Sequence, residues 1–429
     1  MNNKIKPKTL EDFYKSIEKD NNSIISDIEP VFNEKYAVCI SVSDFYAKYA
    51  SLLLISLIQN SSSEHNYDIV ILTTDMSHEN QFILKTLTDK TNIKIRIFNI
   101  NENIKNFTFY TWAHFTQNTY YRLSIPKLFC LYTKVLYLDS DVIVNRDVHE
   151  LFQFDLGENF LAAVKDTHVM SYCNGLNTEQ LEYNINVLKL EYPKNYFQMG
   201  VAVFNIKAIN TKYMKDLLKI ATTVEYKWLD QDILNTEFHN KISELPIEWN
   251  VMIKNKEPYI DEYYLPDEYR EKYYEARKNP AIIHFCGGVY YRFPFVPDMK
   301  RYFWKFAIQS PYFEEILTQM IAIKMPTSEL QNKELECLRQ EFQKTHFPNI
   351  NTHFAENERK MLFLFVSNHK FRFIVRKTCF KILKHIRFRD WKEKYSKKYA
   401  IEDFLIKESQ NTVSNIYAFL NSDKISTLK

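Results

Sequence analysis

Glycine is nearly absent from this chain. Only five occur in 429 residues, at positions 157, 175, 200, 287 and 288. So sparing a use excludes Gly-rich repeats and flexible Gly/Ser linkers, and it predicts that each glycine sits where the backbone demands one. Cysteine is also sparse. The six (39, 130, 173, 286, 337 and 379) are widely spaced, with no CxxC pair and no zinc-ligand spacing. That argues against a disulfide scaffold or a thiolate metal site and predicts free thiols, mostly in apolar surroundings, in a reducing compartment. Long apolar runs are missing too. The stretches around Leu52–Ile58 and Met361–Val366 are far too short to span a bilayer. The opening Met1-Asn-Asn-Lys-Ile-Lys-Pro-Lys has no apolar h-region, so no secretory signal is expected. The resulting expectation is a cytoplasmic protein, soluble or peripheral on the inner face of the cytoplasmic membrane.

What is abundant is apolar and aromatic: 45% hydrophobic and 15% aromatic residues, enough for a sizeable core. The formal net charge of +3 is uninformative, but its distribution is not. From Lys370 to Lys398 twelve Lys or Arg face only Asp390 and Glu393, leaving the rest of the chain mildly acidic. Apolar residues at helical spacing lie between those cations (Phe371, Ile374, Val375, Ile382, Leu383, Ile386). A basic amphipathic helix over 361–399 could lie on an anionic membrane, or pack on a neighbouring domain with its basic face solvated. No nucleic-acid module accompanies the charge, so no nucleic-acid partner is expected.

Along the chain, residues 1–33 read as one or two short helices. Tyr36–Val42, Tyr67–Thr73 and Ile93–Asn99 read as strands, with helices Tyr46–Gln59 and Gln81–Thr88 between them. This β-α-β-α-β rhythm predicts an α/β fold with a sheet covered by helices. A helix over Asn118–Cys130, bent at Pro126, follows. Further strands are expected at Lys134–Leu138, Phe160–Val164, Gly200–Ile206 and Ala281–Phe285, with helices at Lys212–Tyr226 and Asp230–Phe238. The expected domains are an N-terminal extension (1–33), the α/β domain (34–305) and a helical basic region (306–429).

The strongest local signal is Val135-Leu-Tyr-Leu-Asp139-Ser-Asp141. An apolar strand delivers two carboxylates to its C-terminal end, where open α/β sheets bind ligands. Residues i and i+2 of extended chain share a side, so the carboxylates repel unless a cation lies between them. A solvated Asp-rich turn would have the same letters. Haloacid-dehalogenase-type phosphatases also place D-x-D after an apolar strand, but near the start of their domain, whereas here residues 36–134 come first. The second signal is His284-Phe-Cys-Gly287-Gly288: an imidazole suits a third metal position, and two of the five glycines would let backbone N–H groups approach phosphate closely.

Several blocks in order resemble glycosyltransferase family 8, which includes bacterial lipopolysaccharide α-galactosyl- and α-glucosyltransferases and glycogenin. They are Tyr36–Tyr46, His114–Arg122, the Asp139/Asp141 strand, Asp155–Asp166, Tyr196-Phe-Gln-Met-Gly200, Asp230-Gln231-Asp232-Ile-Leu-Asn235 and His284–Gly287. Together they cover roughly residues 35–305. The resemblance implies a GT-A fold, a mixed sheet with helices on both faces. It implies a retaining transferase moving glucose or galactose from a UDP-sugar to a lipopolysaccharide, glycolipid or other saccharide acceptor. Asp139, Asp141 and His284 would bind Mn²⁺, with Mg²⁺ as the substitute. Tyr46 would stack on uracil. Arg122, Ser140 and Asp166 would line the donor, and Asp230 and Gln231 would face its anomeric carbon as the catalytic pair. Gly200 would permit close approach near the acceptor, and Gly287 would touch the diphosphate. Three departures stand out. Ser43 replaces a frequent Asp, leaving base recognition to backbone groups or Asp44. Gln198-Met199-Gly200 replaces Asn-Ala-Gly. Tyr290 replaces the usual Lys, with Arg292 as the expected phosphate contact. A non-catalytic UDP-sugar-binding protein on the same fold is the alternative.

Overall fold

A computed structural model describes residues 28–112, 116–213, 215–253, 260–286 and 299–316. All belong to Met1–Pro326, the first of two units of the chain. The basic segment 361–399, Cys337 and Cys379, Gly287, Arg292 and most of the N-terminal extension lie outside the described residues.

The strands β1 (Tyr36–Ser41), β2 (Tyr67–Thr73), β3 (Ile93–Asn99) and β4 (Lys134–Leu138) are parallel neighbours in the order β3-β2-β1-β4. The sheet then turns mixed. The long strand β7 (Phe197–Asn205) is antiparallel to both β4 and β6 (Leu161–Lys165), and β8 (Ile242–Glu244) closes the edge. A second sheet has the order β5-β10-β9, with β5 (Val142–Val144), β9 (Val251–Met252) and β10 (Ile282–His284). The mixed α/β architecture matches the GT-A expectation.

Strand alternation sorts the core onto two faces. Val38, Ile40, Leu136, Leu138, Val201 and Val203 point into one cluster with the helix α1 (Ala47–Asn60). Ala37, Cys39, Val135, Tyr137, Met199 and Phe204 point into the other, with α3 (Leu229–Glu237). Helices therefore cover both faces. Between these two helices in the chain, α2 (His78–Lys85) is capped by Ser77, whose side chain accepts from Asn80 N. After α3, α4 (Asp267–Lys278) packs beside β9, where the Tyr273 hydroxyl donates to Met252 O at 2.6 Å.

Every residue of α1 from Ala47 to Ile58 is buried, so this helix needs cover on its outer side as well. The helix α5 (Lys300–Ala307) and the turn after it supply part of that cover through Phe303, Phe306, Ala307, Tyr312 and Ile316. Polar clasps fix the pairing: Lys48 Nζ to Glu315 at 2.8 Å, Ser51 to Ser310 at 2.6 Å and Tyr312 OH to Asn80 at 2.7 Å. The core thus continues past residue 305 to Ile316.

Two expected helices differ. Asn118–Cys130 is a 3₁₀ segment, Gln117–Ser124, running into one α-turn, Ile125–Leu128, with Pro126 in its first turn. Lys212–Tyr226 is interrupted. The helix Ile206–Lys212 ends at Tyr213, and Asp216 starts a new one at Leu217–Ala221 by accepting from Leu218 N and Lys219 N. Among the described cysteines Cys39 and Cys173 are buried free thiols, whereas Cys130 is exposed. Among the described residues no helix is long and apolar enough to cross a membrane.

Because Phe306 is fully buried in the main core, Phe306→Ala is expected to destabilise the full chain by about 3–5 kcal/mol. Urea unfolding checks this, and a loss under about 1 kcal/mol would show that α5 is not integral to the core.

Candidate active site

The buried apolar residues of β4 fix where its C-terminal end points, and that end delivers Asp139. Asp139 N donates to Gly200 O at 2.7 Å, which ties the strand end to β7. Ser140 and Asp141 then turn the chain into β5. His284, the last residue of β10, pairs with Val142 at the start of β5, and Phe285 N donates to Asp141 O at 3.0 Å. Two sheets thus meet at three side chains. His284 Nε2 lies 3.1 Å from Asp141 Oδ1 and 3.7 Å from Asp139 Oδ2. One potential ligand atom from each residue falls within 4.8 Å of the other two. The imidazole is buried, while both carboxylates keep about a fifth of their surface open to solvent. Burial alone would lower the His284 pKa, but the facing Asp141 and Asp139 hold it above its ordinary value.

Two carboxylate oxygens and an imidazole nitrogen suit a divalent cation of the Mn²⁺ type. The surrounding backbone fits this use. A Cβ on Gly200 would fall 2.3 Å from His284 Cε1 and 2.4 Å from Asp139 Oδ2. The missing side chain at 200 therefore makes room for the triad itself.

Arg122 lies beneath this triad, on the 3₁₀ segment. Its Nη1 donates to Met199 O at 2.6 Å and its Nη2 to Asp139 Oδ1 at 2.9 Å. Its Nε lies 2.6 Å from Asp230 Oδ2, and its Cζ stacks 4.3 Å from the centre of the Tyr137 ring. Burial disfavours the cation, but Asp139 and Asp230 outweigh it and drive the Arg122 pKa upward. Arg122 is buried and bridges the two acids. Its Nε–H bond is directed at Thr119 O, 3.3 Å away, so Asp230 Oδ2 receives charge without an aligned hydrogen bond. Burial raises Asp230 to about 7, against the pull of Arg122.

Gln231 is clamped. Its Oε1 accepts from Met199 N at 3.0 Å, and its Nε2 donates to Asp166 Oδ2 at 3.2 Å. The other oxygen of Asp166 caps the short helix Thr167–Ser171 by accepting from His168 N and Val169 N. One turn along α3, Asn235 accepts from Phe197 N and donates to Phe197 O, both at 2.8 Å. Gln231 and Asn235, spaced i and i+4, thus fasten the helix to β7. Just before Asp230, Leu229 has a positive φ of 51°, a strained conformation for a bulky buried residue. Asp232 helps to hold that turn: it accepts from Tyr196 OH (2.5 Å), Tyr183 OH (2.8 Å) and Trp228 N (2.7 Å), and burial lifts it to about 6.

The structure therefore brings together Asp139, Ser140, Asp141, His284, Arg122, Asp166, Gln198, Gly200, Asp230 and Gln231. In the first loop, Ser43, Asp44 and Tyr46 stand just after the end of β1. Asp44 Oδ1 accepts from Ser77 N and Asn80 Nδ2, both at 2.7 Å, and so braces the start of α2. Ser43 opens the 3₁₀ turn Asp44–Tyr46, and the half-buried Tyr46 ring packs on the core with its centre 5.9 Å from that of Tyr49. One site residue absent from the sequence reading is Asn250. Its Oδ1 lies 3.1 Å from His284 Nδ1, and its Nδ2 donates to Gln198 at 2.6 Å. An Asn after a tryptophan carries no local signal of that role.

Two variants probe this arrangement. Gly200→Ala should stay folded by circular dichroism yet weaken Mn²⁺ binding by roughly 10-fold or more, because the added carbon must displace a ligand; unchanged affinity would contradict the cradle. Asp230 takes up a proton on folding between its unfolded pKa of about 4 and its folded value of about 7. Its stabilising contribution is complete below the unfolded value and is lost as pH rises to the folded one. The melting temperature of Asp230→Asn relative to the native chain should therefore climb from pH 4 to 7 and then level off. A pH-independent difference would contradict the assignment.

The profile of Glycosyl transferase family 8 matches residues 37–289. General stress protein A of Bacillus subtilis is 27% identical over 253 residues, covering 57% of this chain and 83% of that protein. A lipopolysaccharide 1,2-glucosyltransferase of Escherichia coli is 25% identical over 293 residues, covering 65% and 78% respectively. Among solved structures, the apo bifunctional glycosyltransferase WbbM superposes with a TM-score of 0.62 at 32% identity, covering 69% of this chain and only 53% of that one. With a family match spanning more than half the chain and the family's D-x-D and histidine converging in space, the protein belongs to glycosyltransferase family 8.

Proposed function

We propose that this glycosyltransferase moves a hexose, glucose or galactose, from a UDP-sugar to a lipopolysaccharide, glycolipid or other saccharide acceptor, with retention at the anomeric carbon and dependence on Mn²⁺. The observation that carries the reading is the convergence of Asp139, Asp141 and His284 at the end of β4, with Gly200 leaving room for them. A divalent cation bound there would neutralise the diphosphate as UDP departs.

The protein's own groups divide the remaining work. Arg122 holds Asp139 through Oδ1, which leaves Oδ2 on the His284 side. Asp230 Oδ2 is buried 2.6 Å from Arg122 Nε, so the arginine couples the charge of Asp230 to that of Asp139 beside the proposed donor site. Gln231 Oε1 is already engaged by Met199 N–H, which suits a fixed dipole beside the sugar better than a nucleophile. That supports same-face substitution. The C1–phosphate bond breaks, the acceptor oxygen bonds to C1 from the face UDP leaves, and the acceptor proton passes to a departing phosphate oxygen. The Escherichia coli relative is named for a lipopolysaccharide acceptor, and the basic segment 361–399 would suit an acceptor displayed on anionic lipid.

A panel of UDP-sugars with Mn²⁺, followed by UDP release, tests the reading. UDP-glucose or UDP-galactose should turn over, and Asp139→Asn should lower the rate on the order of 10²-fold or more. Anomer-resolved NMR should show a retained product, and a vesicle-borne acceptor should react faster on anionic than on neutral lipid. Nucleotide-sugar binding without turnover would favour the non-catalytic alternative, and an inverted product would refute retention.

A further inference from the structure

The tautomer of His284 can be deduced from the backbone outward. Gly200 N–H can only donate, and it does so to Gln198 Oε1 at 2.7 Å. The atom of Gln198 at that place must therefore be the carbonyl oxygen, which fixes the amide's orientation. The same oxygen is 2.6 Å from the Asn250 side chain. Facing an acceptor, Asn250 must present its NH₂ group, so its oxygen is turned the other way. That oxygen lies 3.1 Å from His284 Nδ1. Facing an acceptor in turn, Nδ1 must carry the proton. Nε2 faces Asp141 Oδ1 at 3.1 Å and Asp139 Oδ2 at 3.7 Å, so its lone pair becomes available when a divalent cation takes the place of a proton between them. Gln198, Asn250 and His284 are all buried, which keeps water from substituting for a partner along this chain.

We infer that Gln198 and Asn250 are positioning residues that preset the tautomer and ring orientation of His284 for a divalent cation. The inference rests on the triad being a metal site. It gives the Gln198-Met199-Gly200 departure a concrete role. The longer Gln side chain curls back onto the N–H two residues ahead, so β7 supplies both the anchor of the chain and, at Gly200, the room for the ligands. Asn250 enters from the opposite side, between the 3₁₀ turn Ile247–Asn250 and β9, and Ile253 N donates to His284 O at 2.8 Å, so the ring's own backbone is held by the same segment.

Two measurements on the full chain decide it. The first is ¹H–¹⁵N NMR on histidine-labelled, metal-free protein. His284 Nδ1 should carry a proton protected from exchange with solvent in the native chain, and Asn250→Ala should abolish that protection. A deprotonated or freely exchanging Nδ1 in the native chain would overturn the inference. The second is titration with Mn²⁺ alone, followed by electron paramagnetic resonance. Asn250→Ala and Gln198→Leu should each weaken binding roughly 10- to 100-fold, the usual consequence of losing an outer-shell partner. Gln198→Glu, whose carboxylate still accepts from both Gly200 N–H and Asn250, should restore most of the affinity. Equal affinities in Asn250→Ala and the native chain would refute the role, as would a Gln198→Glu variant no better than Gln198→Leu. A native chain that binds no Mn²⁺ would instead sink the metal reading, and the NMR result would still decide the state of Nδ1.

Discussion

Two carboxylates projecting side by side from the end of a buried strand repel each other, and the polar interior of this protein is organised around that repulsion. Arg122 takes one oxygen of Asp139, and His284 faces Asp141. No side chain can stand at position 200 without striking both His284 and Asp139. The same arginine reaches Asp230, so the charges of the triad and of the candidate catalytic helix are not independent. A buried cation flanked by acids that are themselves partly or wholly buried is stable only as a set, because removing one partner leaves another uncompensated in low dielectric.

The fold supplies the positions. Strand β4 lies between β1 and β7, and its change from a parallel to an antiparallel neighbour is what sets Asp139 beside Gly200. The small second sheet has one task visible from this site: β10 carries His284 against β5, directly after Asp141. Helix α3 reaches the same place by side chains, with Gln231 and Asn235 bonding to the β7 backbone as a neighbouring strand would. Tertiary packing thus converges on a short stretch of β7, Phe197 to Gly200, from several directions.

Much of this was readable in the sequence. Strands β2, β3 and β4 have the bounds their apolar runs imply, and Asp139, Asp141 and His284 announced themselves as a strand-end pair and a histidine before two of five glycines. What escaped was short or non-local. Strands β5, β8 and β9 have two or three residues each, too few to display a period. The 3₁₀ winding of Gln117–Ser124 leaves an apolar pattern close to that of an α-helix. Asn250 matters only through an imidazole brought to it by the β9–β10 pairing. Gly200 was singled out by rarity, but its reason, two side chains far from it in sequence, exists only in the folded chain. Gly287, Arg292 and the basic segment 361–399 lie outside the described residues.

The chemistry proposed for this site depends on Asp139, Asp141 and His284 holding a single cation together. The most direct measurement is pulsed electron paramagnetic resonance of the full chain with one equivalent of Mn²⁺. A single bound ion is expected, with the ¹⁴N coupling of one directly bound imidazole that is absent when His284 is replaced by Gln. Weak, non-stoichiometric binding, or a bound ion with no nitrogen coupling, would contradict it.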